Sequence, residues 1–407
     1  MTRQWIVRGL TVASLLLPGA ASAWAVELPI GTPLSVRLTT RVSSRLSQPG
    51  DAIGAVLIAP VELGGDTVIP AGWTLQGIVR EAGKSGGRAI LQLDFSQLMD
   101  EHYEESPIAT RVVAVDNSRE SVEEGGRIVG YRPKRRLPSA VAAVVMALAH
   151  DNPIALVAFA VGRLALRAAQ HSAIDYRPGV EMSLALAAPL EIAADPPEPE
   201  LAADPALSLF ARTLPFRTRA PKRHRDADVT NLLLVGSRTQ VEGTFAEAGW
   251  TQARPMGFRA RFRGLLALVL KRSYKPAAVS ELELGGRPPD LVFEKQNNTI
   301  AKRHHVRMWQ DEDSAGRTVW VGAATHDVGI VFSRSRHAFT HRIDPRIDLE
   351  REKIVNDLEL THDVATTAFV DRPHGPPLGG QAGDDVMETD GRMAIVVLRP
   401  ADAPEQD

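Results

Sequence analysis

Short apolar runs that alternate with polar residues fill residues 28–115, and this pattern constrains the fold of that region. In the run LSVRL at 34–38, every second side chain is apolar and falls on one face of an extended strand. Turn signals separate the runs, as at Gly64-Gly65-Asp66 and Pro70-Ala71-Gly72. Strands of this length with turns at this spacing are typical of a small antiparallel barrel or sandwich.

A later segment repeats the start of this region. Residues 28–42 align without gaps to residues 176–190, with a glycine, a serine and a leucine at equivalent positions. Two equivalent strands, each preceded by a glycine turn, would explain the match, although so short a match also arises by chance. If the strands are equivalent, the chain between them belongs inside the same domain, which we place at 26–192.

Two alanine-rich apolar stretches within residues 138–170 predict a helical hairpin. Neither stretch reaches the roughly 20 residues that a membrane-spanning helix needs. We therefore expect the hairpin to pack on the barrel or on a second copy of the chain, which would be a homo-oligomer contact. Contact with a membrane surface is the alternative.

The first 25 residues have the order of a secretory signal peptide. A positively charged start precedes the apolar run LTVASLLL at 10–17, and two A-x-A cleavage sites follow within residues 21–25. The chain has no cysteine, which excludes disulfides and thiolate metal sites. We expect an exported bacterial protein of the periplasm or the outer face of the cell envelope.

The overall charge argues against nucleic acid as a partner. The formal net charge is −2 at pH 7, so no global basic field draws the chain to a phosphate backbone. We expect envelope proteins or lipid as partners.

A proline-rich, acidic segment at 193–225 has the composition of a linker. Residues 226–400 follow it, with strand-like runs, a helix near Ser237 and a second helix from Asp344 to about Leu358; residues 401–407 form a tail. The expected fold class is α+β. A small antiparallel β-barrel or sandwich with a helical-hairpin insertion precedes an α+β domain with helices on a mostly antiparallel sheet.

This second domain concentrates histidine, arginine and aspartate. The run HHVRMWQ at 304–310 predicts a strand, in which adjacent side chains point to opposite faces. The two histidines of this run therefore do not chelate one ion together, and either would need partners from elsewhere. The candidate polar cluster comprises His304, His305, Arg307, His326, Asp327, His341, Asp344 and Asp348.

Three interpretations of this cluster stay open: a hydrogen-bonded lattice that stabilises the fold, a ligand-binding pocket, or a metal or hydrolytic centre. For a divalent metal as cofactor, the candidate ligands are His305, His326 and His341, since catalytic zinc commonly takes three protein ligands and a water. The HExxH spacing and the Walker-type motif are absent from the chain.

Six stretches of the second domain resemble the LssY-like C-terminal domain family, over about residues 226–400. They are DVTNLLLVGS, EAGW, KRHHVRMW, VWVGAATHD, THRIDPRIDLERE and TDGR. In that family the domain occurs alone or behind membrane modules of the phosphatidic-acid-phosphatase or DedA type. The resemblance implies the domain and supplies no reaction. The family pattern often reads IDPDID, and Arg346 replaces the middle acid here, which weakens any mechanism that needs three clustered carboxylates.

The first domain is similar to envelope β-barrel domains of the TrbI type of conjugation apparatus. The stretches GTPLSVRLTTRVSS and VIPAGWTLQGIV carry this likeness, which covers about residues 28–115 and 176–192.

Two classes of function compete. In the first, the protein is an envelope binding or assembly module without turnover, and the barrel is its interaction module. In the second, the C-terminal domain is a metal-assisted hydrolase of an envelope phosphoester or lipid. The enzyme needs its histidines to converge in a concave pocket, whereas a structural lattice lets them spread across the sheet. We favour the first class because no complete catalytic motif is present.

Overall fold

The computed structural model describes residues 24–116, 118–131, 173–194, 201–220, 225–253, 282–295, 303–333, 338–372, 381–382 and 385–400. The predicted signal peptide up to residue 23 and the predicted hairpin at 138–170 lie outside these residues. Among the helices that are described, none combines the length and the apolar character needed to cross a bilayer.

The described residues between 24 and 194 form fifteen strands. They are β1 (Trp24–Leu28), β2 (Pro33–Leu38), β3 (Val42–Ser43), β4 (Ala52–Leu57), β5 (Val61–Leu63), β6 (Asp66–Ile69), β7 (Thr74–Ser85), β8 (Arg88–Met99), β9 (Glu105–Pro107), β10 (Thr110–Val115), β11 (Ser121–Val122), β12 (Arg127–Val129), β13 (Asp175–Tyr176), β14 (Glu181–Leu186) and β15 (Leu190–Ala194). Strand β14 lies between β2 and β10, so the late segment completes the sheet that the early strands begin.

Eight of these strands form an antiparallel sheet that curls into a nearly closed barrel. Their order is β10-β14-β2-β4-β7-β8-β12-β11, with β9 beside β8. The curl brings β10 back to β8, where the Thr110 hydroxyl donates to the carbonyl of Phe95 at 2.9 Å. The amide of Ile108 donates to the carbonyl of Ser96 at 3.0 Å beside it. Of the two predicted forms, a barrel or a sandwich, the structure has a nearly closed barrel.

Alternating burial fills the barrel interior. Leu34, Val36 and Leu38 of β2 are each at most 1% exposed, as their spacing predicts. Gly77 permits the close approach of β7 to β8, because a Cβ there would lie 2.0 Å from the carbonyl oxygen of Asp94. The register of the two strands shifts at the same place.

The described residues between 201 and 400 form a second sheet, further strands and three helices. Its strands are β16 (Arg217–Ala220), β17 (Arg225–Val229), β18 (Leu232–Val235), β19 (Thr251–Gln252), β20 (Leu291–Lys295), β21 (Arg303–Glu312), β22 (Thr318–Ser333), β23 (Ala338–Ile343), β24 (Val364–Asp371), β25 (Gln381–Ala382), β26 (Asp385–Val386) and β27 (Arg392–Leu398). Its helices are α1 (Pro205–Thr213), α2 (Arg238–Glu247) and α3 (Ile347–Glu359). Eight of these strands form the second sheet, in the order β19-β20-β21-β22-β18-β27-β24 with β23 beside β22, whereas β16 pairs with β17 and β25 with β26 in two separate two-stranded sheets.

The fold class differs in part from the predicted α+β. The sheet is mixed, because β18 and β27 run parallel while their other neighbours are antiparallel. The described residues contain three helices and twenty-seven strands, so this part of the molecule is mostly β. Helix α1 lies within the segment that the composition predicted as a linker, and the Asp204 side chain caps it by accepting from two backbone amides.

The two faces of the second sheet each carry a core. Leu232 and Leu234 face the core that includes α2 and α3, whereas Leu233 and Val235 face the core that includes α1. Helix α2 begins after Ser237, as predicted, with a reciprocal capping box. Helix α3 begins three residues later than predicted, and Arg346 occupies its cap without a side-chain hydrogen bond.

Candidate functional site

Strands β21 and β22 place two of the predicted histidines side by side. His304 lies directly opposite His326 in the antiparallel register, and directly paired residues share a face of the sheet. Their rings stack, with centroids 4.1 Å apart and planes 18° apart. The structure therefore brings these two of the eight candidate residues together on the face that packs against α3.

The His304 ring is held between two carboxylates. Its Nδ1 lies 2.6 Å from Oε2 of Glu350, which belongs to α3. Its Nε2 lies 2.5 Å from Oδ2 of Asp116, which follows β10 of the barrel. Asp116 is 188 residues away from His304 along the chain, so this contact joins the barrel to the second sheet.

The two carboxylates change the protonation of this histidine. Burial alone would lower the pKa of His304, but the negative charges of Glu350 and Asp116 outweigh it and raise the pKa to about 10. Burial would likewise raise the pKa of Asp116, but the charge and hydrogen bond of His304 lower it to about 2. The pair therefore exists as an imidazolium and a carboxylate at neutral pH.

His326 has a different environment from its stacked neighbour. Its Nε2 is buried, has no hydrogen-bond partner among the described residues, and lies 4.0 Å from Oδ1 of Asp116. Burial, and then the positive charge of His304, lower the pKa of His326. His326 therefore stays neutral at pH 7 and keeps an unprotonated ring nitrogen, the form that binds metals.

Three of these side chains form a group with metal-ligand chemistry. Single ligand atoms of Asp116, His304 and His326 all lie within 4.8 Å of one another. Two imidazoles and one carboxylate are ligand types that zinc and related ions accept. The group contains one residue, Asp116, that lies outside the predicted cluster.

The opposite face of β21 carries a separate polar lattice. His305 is hydrogen-bonded through Nε2 to the Thr325 hydroxyl at 2.7 Å. Arg303 donates to Asp327 at 3.0 Å, and Arg307 donates to Asp228 at 2.6 Å. Because adjacent residues of a strand point to opposite faces, the structure separates His305 from His326.

The remaining candidates lie near the start of α3. Asp344 accepts from the amide of Arg346 at 3.0 Å. Asp348 accepts from the amide of Asp390 at 2.6 Å and from the Thr389 hydroxyl at 2.9 Å. His341 belongs to β23, and its side chain lies outside the described residues, so its membership of the predicted metal set stays a prediction.

A second buried ionic group, which sequence reasoning missed, also joins the barrel to the second sheet. Glu181 of β14 contacts Lys295 of β20 at 2.8 Å and Lys353 of α3 at 2.7 Å. Arg37 of β2 contacts Glu181 at 3.0 Å and Asp357 of α3 at 2.5 Å. We call these five residues, Arg37, Glu181, Lys295, Lys353 and Asp357, the interface ion cluster.

The two buried carboxylates of the interface ion cluster depend on their cationic partners to stay ionised. Burial would raise the pKa of Asp357, but the nearby Lys353 and Lys295 lower it overall. The same two lysines and Arg37 hold the pKa of Glu181 well below its usual value against the same effect of burial. Asp357 also accepts a hydrogen bond of 2.9 Å from the Trp250 indole. Both carboxylates are therefore ionised within the interface.

Comparison with known proteins identifies the second part of the chain. Residues 211–393 match the family described as the LssY C-terminus. The chain is also similar to ComB10 of the Com type IV secretion system of Helicobacter pylori, with 12% identity over 40% of this chain and 88% of that chain. The TM-score of that match is 0.23, too low to support a conclusion about the barrel. No significant match was found among curated protein sequences. The segment from residue 211 to residue 393, which contains both strands of the paired histidines and helix α3, is an LssY C-terminal domain, as its sequence motifs predicted.

Proposed function

We propose that this protein is an exported binding or assembly module of the bacterial cell envelope, without turnover of a substrate. In this proposal the barrel and the LssY domain act as one rigid unit that presents its outer surface to envelope partners. The signal-peptide pattern of the first 25 residues supports export.

The interface ion cluster is the observation that carries the proposal. A barrel carboxylate, Glu181, binds two lysines of the LssY domain, and a barrel guanidinium, Arg37, binds a helix carboxylate, Asp357. Removing one partner from a buried ionic group strands a charge and costs about 3–5 kcal/mol. The cluster therefore specifies one arrangement of the two parts, because another arrangement would leave these charges mispaired. A fixed arrangement suits a scaffold better than domains that must open around a substrate.

The polar residues of the LssY domain support the same proposal. Buried arginines such as Arg307 and Arg351 are paired with carboxylates of their own domain.

The GKSGG sequence at 83–87, in the barrel, has the spacing of a serine-hydrolase motif, but it joins β7 to β8 rather than a strand to a helix. The motif therefore lacks the strand-to-helix turn that presents the nucleophile of a serine hydrolase.

Two measurements test the proposal together. Blue-native electrophoresis of gently solubilised envelopes should find the protein in a complex larger than the single chain. The purified chain, assayed with phosphomonoester and phosphodiester reporters and with added zinc, manganese or magnesium, should hydrolyse neither above buffer containing the same metal. Hydrolysis by the wild type that disappears in His326→Ala would overturn the proposal in favour of the metal-assisted hydrolase.

A matched pair of variants tests whether the interface ion cluster supports assembly. Glu181→Gln weakens the contact between the barrel and the LssY domain, whereas Glu191→Gln removes an exposed carboxylate of β15. We expect the first variant to reduce the amount of the large complex and the second to leave it unchanged. Equal amounts of complex in both variants, at equal protein levels, would contradict the rigid-unit proposal.

A further inference from the structure

Asp116, His304 and His326 offer three ligand atoms at one point between the barrel and the LssY domain. Asp116 comes from the barrel, and the two histidines come from neighbouring strands of the LssY domain. We propose that these three side chains bind one divalent transition-metal ion, which joins the two parts of the chain. This inference does not depend on the proposed function, since a metal here suits a scaffold and a hydrolase equally.

The observed separations lie on both sides of those in a tetrahedral site. Ligand atoms that each lie about 2.0–2.1 Å from a zinc ion are roughly 3.3 Å from one another. Here His304 Nε2 lies 2.5 Å from Asp116 Oδ2, and His326 Nε2 lies 4.0 Å from Asp116 Oδ1. These two distances involve the two different oxygens of the carboxylate, so Asp116 has to move away from His304 for one oxygen to lie at that distance from both nitrogens.

Glu350 orients the central ligand for metal binding. Its Oε2 lies 2.6 Å from His304 Nδ1, so Nδ1 can donate its proton to Glu350 while Nε2 faces Asp116. Metal-bound histidines commonly donate their second ring nitrogen to a carboxylate, which fixes the tautomer and increases ligand basicity. Glu350 would therefore act as a positioning residue and not as a ligand.

The donor set indicates the kind of ion. Two imidazole nitrogens and one carboxylate oxygen suit zinc, cobalt or nickel, whereas magnesium and calcium take oxygen ligands. The local charge also favours a divalent cation, because Asp116 and Glu350 contribute two negative charges next to the ring nitrogens of His304. A divalent ion would replace the proton that His304 otherwise shares with Asp116.

The site opens on the side of the aspartate. The side chains of Asp116 and His326 are 29% and 21% exposed, whereas that of His304 is 5% exposed. Because His326 Nε2 is itself buried, an ion would enter from the side of the partly exposed Asp116 carboxylate as that carboxylate moves. A fourth position on the exposed side would take water or an oxygen atom of a bound molecule, as in sites with three protein ligands.

Metal binding by the purified full chain tests the proposal. Protein stripped with a chelator is given one equivalent of zinc or cobalt, passed through gel filtration and analysed by elemental mass spectrometry. We expect about one ion per chain, a higher Tm with zinc than without it, and the visible absorption bands of tetrahedral cobalt. A wild-type chain that retains no ion and shows no change in Tm would overturn the proposal.

Variants decide whether the ion occupies this site. Asp116→Asn keeps the shape of the side chain and removes its charge, and His326→Ala removes a ring whose Nε2 has no hydrogen-bond partner within the described structure. Both should abolish retention of the ion, and Glu350→Gln should weaken binding about 10–100-fold. Circular dichroism establishes that each variant is folded.

Two control variants test whether other histidines bind the ion. His305→Ala changes the neighbouring residue on the opposite face of β21, and His102→Ala removes an exposed histidine of the barrel. We expect both to keep the ion, although His305→Ala should lower the Tm. Equal retention by the wild type and Asp116→Asn would mean that the ion binds elsewhere, and the proposal would fail.

Discussion

Glu181 of the barrel and Lys353 of the LssY domain form an ion pair of 2.7 Å across the boundary between the two parts of the chain. The Glu181 side chain is 8% exposed and that of Lys353 is 15% exposed, so water does little to weaken the attraction. Glu181 also contacts Lys295 and Arg37. One carboxylate thus compensates cations on three elements, and the contact between the barrel and the LssY domain depends on it.

Replacing this carboxylate should destabilise the whole molecule. Glu181→Gln keeps the shape of the side chain but leaves the buried cations without one of their two counter-charges, at a cost of about 3–5 kcal/mol. Urea unfolding at pH 7 measures the loss. Glu191→Gln, at an exposed position of β15, should change stability by less than about 0.5 kcal/mol. Similar losses in both variants would contradict the assigned role of Glu181.

The interface ion cluster should also make stability depend on acid. The pKa of Asp357 is lowered in the folded protein, since Lys353 and Lys295 outweigh the effect of burial and of Glu181. A lowered pKa means that the ionised group stabilises the fold fully above its unfolded value of about 3.8 and loses this effect as pH falls below it. Arg37 also faces this carboxylate and keeps its charge throughout.

Urea unfolding between pH 3 and pH 7 checks this dependence. The wild type should lose stability steeply below about pH 4. Asp357→Asn should be less stable at pH 7 and lose less on acidification, because it lacks the carboxylate that takes up the proton. Parallel curves for the two proteins would show that other groups control the acid response.

The sequence allowed much of the local structure to be predicted. Alternating apolar residues such as those of β2 identify barrel strands, because burial follows the two-residue period of the strand. The LssY motifs identified the second domain. The pairing of His304 with His326 could also have been predicted from the sequence. The turn at Asp313–Gly316 closes a hairpin whose centre is Ala315, and residues 304 and 326 lie equally far from Ala315 along the chain, so they are opposite each other.

The rest of the site could not be predicted because it depends on contacts between distant parts of the chain. Asp116 meets His304 across 188 residues of sequence, and no periodicity reports such a contact. Glu181 begins an ordinary alternating strand, so its charge suggests an exposed residue. It is buried because two lysines and an arginine of other elements compensate it.

Two glycines with opposite roles provide a test of the packing. Gly77→Ala places a Cβ 2.0 Å from the Asp94 carbonyl oxygen, so β7 and β8 must separate and the protein should lose stability or fail to fold. Gly243 lies exposed in α2 with no atom within 4 Å of a built Cβ. Gly243→Ala should therefore add about 0.5–1 kcal/mol of stability through helix propensity. Thermal unfolding compares the variants, and a stable Gly77→Ala protein would refute the close strand contact.

The first residue of the mature chain tests whether the protein is exported. The A-x-A sites predict a mature chain that starts at Trp24 or Val26. Strand β1 begins at Trp24 and pairs it with Ala194, so a start at Trp24 keeps the whole strand and we expect this form. N-terminal sequencing of protein from fractionated cells measures the start. Intact Met1 on a cytoplasmic pool would refute export.

A double-mutant cycle on Glu181 and Lys353 tests whether the interface depends on this pair. Glu181→Gln and Lys353→Met each remove one partner and strand charge in a buried site. The double variant removes both charges of the pair, so its loss of unfolding free energy should be smaller than the sum of the single losses, by about 0.5–3 kcal/mol. Urea unfolding of the four proteins gives this coupling energy.

The exposed pair Arg238 and Glu242 supplies the reference for that cycle. These residues are one turn apart on α2, with a 3.0 Å contact and side chains 46% and 39% exposed. Water screens such a pair, so its coupling energy should be only about 0.3–0.5 kcal/mol. The buried pair should exceed this value and keep its coupling in 1 M salt, because ions screen buried charges far less than exposed ones. A coupling energy between Glu181 and Lys353 no larger than that of the exposed pair would mean that the two parts of the chain are held together by other contacts.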